Sequence, residues 1–195
     1  MEENSNSQSP ASNFWKELLK LVILSLVIVI PFRIFIAQPF IVEGASMDPT
    51  FETGEYLIVD ELSYRFKEPE RGDVLVFKYP ADPSKSFIKR LIGLPGEIVS
   101  IKEGVVTITS SEHPNGLMLE EPYIGNEKVE NFSYTLGLGE YFVMGDNRAQ
   151  SADSRIWGAV PEDNIIGRPF LRLFPPNFFP GQSSFIIEES GNTTP

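Results

Sequence analysis

Residues 21–32 read LVILSLVIVIPF, an apolar run whose mildest interruptions are Ser25 and Pro31. Extended outward, residues 18–37 make a segment of 20 that carries only Lys20 and Arg33 as charges. At a helical rise of about 1.5 Å per residue it spans about 30 Å, the hydrocarbon thickness of a bilayer. Lys20 and Arg33 stand near its ends, where long basic side chains reach the interface, and Trp15 suits an interfacial anchor. A cleavable secretory signal is the rival reading, and cleavage needs small residues at −3 and −1. A cut after Ala37 puts Phe35 at −3, and a cut after Ala45 puts Glu43 there, so an uncleaved anchor fits better. A core helix of a soluble protein fits poorly, because the run has no polar face.

The chain therefore divides near residue 40. Residues 1–13 are polar and lack apolar periodicity, and read as a disordered cytoplasmic tail. Residues 14–38 form the predicted transmembrane anchor, and residues 39–195 the predicted extracytoplasmic domain. Lys16 and Lys20 precede the run while Arg33 alone follows it, which by the positive-inside rule favours a cytoplasmic N-terminus. Lys and Arg number 16 against 27 Asp and Glu, a net charge of −11. Residues 1–40 hold three basic and three acidic groups, so the whole excess belongs to residues 41–195. A domain so acidic lacks the clustered cations of a nucleic-acid binder.

That domain reads as β. Residues 56–60 (YLIVD), 73–79 (DVLVFKY), 86–92 (SFIKRLI), 97–102 (EIVSIK), 105–109 (VVTIT) and 140–144 (EYFVM) are short runs rich in β-branched and aromatic residues, separated by Gly, Pro and Asp. KEGVV reads as a tight hairpin turn. The predicted class is mainly β: an antiparallel sandwich- or barrel-like domain after a single transmembrane helix. From Phe174 on, the chain is rich in proline and aromatics, then polar, and is expected to pack briefly and fray.

Composition removes most routes to catalysis. With no cysteine and one histidine, disulfides, thiolate metal sites, cysteine nucleophiles and multi-histidine sites are excluded. His113 lies in SEHPNG, a surface-turn context. No Asp-x-Asp loop, GxGxxG or GxxxxGK[ST] is present, so neither metal nor cofactor is expected. A nucleophile elbow is absent as well, since Gly44-Ala45-Ser46-Met47-Asp48 ends in Asp. A serine with a lysine base remains, a documented variant of the triad logic.

Three stretches bear on that chemistry. Residues 44–50 (GASMDPT) put Ser46 in a small-residue turn, where its hydroxyl can be exposed and backbone N–H groups can face an oxyanion. In residues 87–97 strand alternation puts Phe87, Lys89 and Leu91 on one face, an ammonium between two apolar groups. Desolvation there favours the neutral amine that a general base requires; Arg90 falls on the opposite, structural face. Ser86-Phe87-Ile88-Lys89 also spells S-x-x-K, but on a strand those two side chains diverge. Residues 145–155 (GDNRAQSADSR) form a dense polar loop in which Asp153 and Arg155 can pair and Ser151 can hold a neutral lysine.

With residues 71–77 (RGDVLVF) between the first two, these stretches resemble the ordered boxes of bacterial type I signal peptidases. The resemblance runs from the membrane segment to about Pro169. It implies a membrane-anchored, monomeric serine endopeptidase with a Ser/Lys dyad, cutting signal peptides from exported preproteins after small residues at −3 and −1. It further implies a single pass through the cytoplasmic membrane, and an internal membrane such as a thylakoid suits the same reading. By the same resemblance Ser46 is the nucleophile and Lys89 the general base, Ser151 holds the lysine, Asp153 and Arg155 are the supporting ion pair, and Asp146 and Asn147 belong to their box. Met47, Phe87 and Ile88 are expected in shallow substrate pockets, with Met47 and exposed phenylalanines near the bilayer surface. Some members place a serine, the second oxyanion donor, two residues before the nucleophile; this chain has Gly44 there. Two alternatives differ in class: a soluble Ser/Lys self-cleaving repressor protease, which carries a DNA-binding module rather than a membrane run, and a tethered, non-enzymatic β domain.

Overall fold

The computed structural model describes residues 10–35, 37–174, 176–178 and 186–189. Helix α1 covers Pro10–Phe35, 26 residues. It starts ahead of the predicted anchor because proline suits a first helical position, where its missing N–H would be an orphan anyway. Residues 1–9 of the predicted tail lie outside the described residues. Side chains are described over residues 14–29, all exposed, while residues 30–38 of the predicted anchor have none described. Among the described residues no helix is long and apolar enough to cross a membrane.

The remaining unit is mainly antiparallel β. Its strands are β1 (Ala37–Ile41), β2 (Tyr56–Asp60), β3 (Val74–Tyr79), β4 (Asp82–Gly93), β5 (Ile98–Lys102), β6 (Val105–Thr109), β7 (Leu117–Glu120), β8 (Phe132–Thr135), β9 (Glu140–Met144), β10 (Val160–Pro161), β11 (Ile165–Phe174), β12 (Pro176–Phe178) and β13 (Ile186–Glu189). A larger sheet runs β1-β2-β11-β3-β4-β9-β10, with β12 added to β11; a smaller one runs β13-β7-β6-β5-β8. The barrel-like expectation is corrected: both sheets stay open. One edge of the larger sheet is β10, only two residues long, which offers too few backbone groups to close a ring. Of the stretch from Phe174 on, expected to pack briefly and fray, Pro176–Phe178 and Ile186–Glu189 are strands, and residues 175, 179–185 and 190–195 lie outside the described residues.

Local chemistry accounts for the connections. The β5–β6 hairpin closes over Glu103 (φ 51°) and Gly104 (φ 88°), with Lys102 paired to Val105. Two positive φ values in a two-residue loop match the strand twist. Chain passes from the larger to the smaller sheet just after Gly93, whose missing Cβ would stand within 3.0 Å of Val99, Leu136 and Phe142. Strand β9 is buried on both faces. Phe142 and Met144 pack with Val99, Ile101 and Ile108 of the smaller sheet, while Tyr141 and Val143 pack with Leu75, Phe77 and Leu91 of the larger. That two-sided burial explains the uninterrupted apolar pattern YFVM. A third cluster, Val42, Met47, Phe51 and Leu57, lies beneath the turn that carries Ser46.

Candidate active site

Strand β4 carries Lys89 and Arg90 on opposite faces, as period-two geometry requires. Lys89 is 4% exposed, and its Nζ donates to Ser46 Oγ at 2.7 Å and to the Ile88 carbonyl at 2.9 Å. The Phe87 ring centroid is 5.5 Å from Nζ, and Leu91 on the same face is fully buried. Burial lowers the Lys89 pKa from the ordinary 10.5 to about 8, against the charges of Asp153 and Asp146, which raise it. An amine so placed is partly neutral near physiological pH and one hydrogen bond from a hydroxyl, the arrangement a general base and its nucleophile need.

The polar loop after β9 wraps this pair. Asn147 N–H donates to the Ser46 carbonyl at 3.1 Å, and Asn147 Nδ2 to the Ala45 carbonyl at 3.0 Å, so the loop grips the serine turn through its backbone. Asp146 is fully buried and accepts from Arg90 Nε (2.8 Å), Arg90 Nη2 (2.6 Å) and Thr50 Oγ1 (2.5 Å). Asp153, also fully buried, accepts from Arg155 Nε and Nη2, both at 2.7 Å, and from Gly145 N–H at 3.0 Å. Burial alone would raise the Asp153 carboxyl; the hydrogen bonds and charge of Arg155 outweigh it and hold the group below the usual carboxylate value. Ser151 Oγ is buried, and its hydroxyl is among the groups that lower the Asp153 carboxyl; among the described residues Lys89 Nζ bonds to Ser46 and Ile88 rather than to Ser151. Gly145 fits only without a side chain, since a Cβ would overlap both Ser151 Oγ and the Ser46 carbonyl.

An apolar-walled cleft of about 580 Å³ opens over the pair, lined among others by Phe40, Val42, Phe87, Ile88 and Val76. Phe87 and Ile88 thus line the cleft beside the pair. Met47 does not: it is 0% exposed, packed on Phe51 and Leu57, because the turn that presents Ser46 points the next side chain inward. The expectation that Met47 lines a pocket or meets a bilayer is corrected accordingly. Gly44 has φ +89° with open space where a Cβ would stand, so the backbone conformation, rather than crowding, disfavours a serine there.

A family model described as signal peptidase, peptidase S26, matches residues 15–174. The chain belongs to that family. A "Probable signal peptidase I-2" of Synechocystis sp. is 37% identical over 89% of this chain and 80% of its own length. A "Probable signal peptidase I-1" of the same organism is 38% identical over 95% of each chain. The signal peptidase I of Leptolyngbya laminosa is 41% identical, covering 88% of this chain and 85% of its own.

In this S26 chain, sequence reading missed the outer partners of the site. Arg71 donates to the Ile92 carbonyl and pairs with Glu97 at 2.6 Å, tying the start of β3 to the end of β4. Arg90 stacks on Tyr123, and Arg148 and Arg155 pair with Glu121 and Glu130. The only sequence signal for Arg90 was its alternation with Lys89; the glutamates carried none.

Proposed function

We infer that this chain is a membrane-anchored serine endopeptidase that removes signal peptides from exported preproteins, cutting after small residues at −3 and −1. One observation carries the catalytic part: a buried lysine amine 2.7 Å from a serine hydroxyl at the edge of an apolar cleft. Neutral Lys89 takes the Ser46 proton as Oγ attacks the scissile carbonyl. The Ser46 backbone N–H meets the developing oxyanion. Protonated Lys89 then gives its proton to the leaving amine, and the amine, neutral again, activates the water that frees the acyl group. The family resemblance assigns Ser151, whose buried hydroxyl lies in the loop that wraps the pair, to orient the Lys89 lone pair. Asp153 with Arg155, and Asp146 with Asn147, hold the loop against the serine turn. Phe87 and Ile88 form shallow walls that admit small apolar side chains.

Ser46→Ala, incubated with a preprotein in detergent micelles, is expected to lose cleavage by about three orders of magnitude or more. Undiminished cleavage would remove Ser46 from the mechanism. In the native protein the sign of the pH effect follows from Lys89. The base must be neutral and its folded pKa is about 8, so kcat/KM should fall about tenfold per pH unit below pH 8. A flat acid limb would exclude a lysine base.

The proposed localisation is a single pass through residues 14–38, with the N-terminus cytoplasmic and the peptidase monomeric on the outer face of the cytoplasmic membrane or of an internal one. The apolar run supports it. Resistance of the full chain to alkaline carbonate extraction from membranes is the expected result; release into the supernatant would contradict a spanning anchor.

A further inference from the structure

The connection between β7 and β8, residues 121–131, belongs to the smaller sheet, yet its contacts lie in the catalytic loop. The Glu121 carboxylate accepts both Arg148 Nη groups, at 2.9 and 2.5 Å. Tyr123 donates to Glu121 Oε1 at 2.7 Å and lies 3.9 Å from the Arg90 guanidinium. Gly125 N–H donates to the Asp146 carbonyl at 3.3 Å, and a Cβ on Gly125 would stand 2.8 Å from Pro49 Cδ, in the serine turn itself. Asn126 Nδ2 donates to Asn147 Oδ1 at 3.4 Å. Glu130 pairs with Arg155.

These contacts converge on one residue, Gly145, through the two peptide groups that flank it. Gly145 C=O accepts from Arg148 Nε at 3.0 Å, and Arg148 is held by Glu121. Gly145 N–H donates to Asp153 at 3.0 Å, and Asp153 is held by Arg155, which is held by Glu130. Both ends of that residue are thus fixed from the same segment. Gly145 in turn is flush against the Ser46 carbonyl and the Ser151 hydroxyl. A solvated acidic stretch would leave its carboxylates in water, but the Glu121 and Arg148 side chains are only 5% and 4% exposed.

We propose that Glu121 and Glu130 are positioning residues of the Ser46/Lys89 centre, which through Arg148 and Arg155 fix Gly145, by the peptide groups on either side of it, against the serine turn. The inference rests on the Ser46/Lys89 reading above. It gives the smaller sheet a part in catalysis: that sheet delivers the two carboxylates that hold the site of the larger one.

The test uses the full chain in detergent micelles and a peptide substrate with alanine at −3 and −1. Glu121→Leu and Glu130→Leu are each expected to lower kcat about tenfold, with KM changed less than about twofold. Glu121→Gln and Glu130→Gln keep an acceptor oxygen and should recover part of that loss, while Glu127→Gln, exposed on the same segment, should match the native rate. Because both glutamates act through one residue, the double Leu variant should lose less than the product of the singles. Unchanged kcat in the singles, a multiplicative double variant, or losses that simply follow a falling thermal midpoint would each overturn the proposal. Ser46→Ala runs alongside: if it is inactive while the glutamate variants are fully active, only the positioning role fails; if it remains active, the dyad itself fails.

Discussion

Lys89→Met should yield a protein that is both inactive and more stable than the native one. Loss of the base is expected to lower kcat by about 10³-fold or more. The stability gain comes from the same burial that lowers the amine's pKa. With a folded pKa of about 8 against an ordinary 10.5, folding at neutral pH must carry a charged ammonium out of water, at a cost of up to about 3 kcal/mol. Methionine fills similar space between Phe87 and Leu91 without that charge. The sign can be checked directly. The unfolded chain binds more protons than the folded one between about pH 8 and 10.5, so native stability rises with pH across that window. The advantage of Lys89→Met should therefore be full below pH 8 and gone above 10.5. Urea unfolding of both proteins at pH 7 and pH 11 measures it, and a variant less stable at pH 7 would show that the Ser46 hydrogen bond outweighs the desolvation.

Arg90→Leu should act in the opposite direction. Its partner Asp146 is fully buried and accepts hydrogen bonds from Arg90 Nε and Nη2 and from Thr50 Oγ1. Removing one member of a buried pair strands the other, at about 3–5 kcal/mol. Denaturant midpoints should report that loss. Arg90→Leu combined with Asp146→Asn should recover a good part of it, because the amide needs no counter-charge. A double variant as unstable as the single would mean that Arg90 matters through its stacking on Tyr123 instead. Thr50, which also binds Asp146, ties this pair to the serine turn, so activity should fall along with stability.

What could be read from the sequence follows from how local each signal is. Strands β2, β6 and β9 appear with their expected bounds because each is a compact β-branched or aromatic run between turn residues. Strand β11 escaped notice, since IIGRPFLRLF holds a glycine and a proline. The structure accommodates both: its pairing with β2 shifts register between Pro169 and Leu171, and Gly167 lets the Asp60 carbonyl come too close for any Cβ. At the site, small-residue turns and strand alternation are short-range patterns that raised Ser46, Lys89 and the polar loop as candidates, and the family resemblance assigned their roles. Arg90 with Asp146 spans 56 positions, and Glu121 and Glu130 lie in a stretch with no periodicity. Among 27 acidic residues, nothing local separates a buried carboxylate from a solvated one; only the fold, by bringing arginines to meet them, does.

With Lys89 as the proposed base, its alternation with Arg90 ties the proposed mechanism to the parity of a strand. Within β4, Lys89 pairs with Leu75 and Arg90 with Val74, and the register is unbroken between an irregularity at Lys78/Tyr79 on the β3 side and another at Leu91/Gly93 on the β9 side. A slip of one residue in that interval would leave the sheet with a full ladder of hydrogen bonds and little less apolar surface in the core. It would also turn a permanently charged guanidinium toward Ser46 and send the only titratable amine of the site to Asp146. Such a chain would be folded, soluble in the same detergent and silent. The turn after Tyr79 is therefore a place where inserting or deleting a single residue is tolerable to the architecture only if the bulge beside it absorbs the change before the strand reaches Lys89.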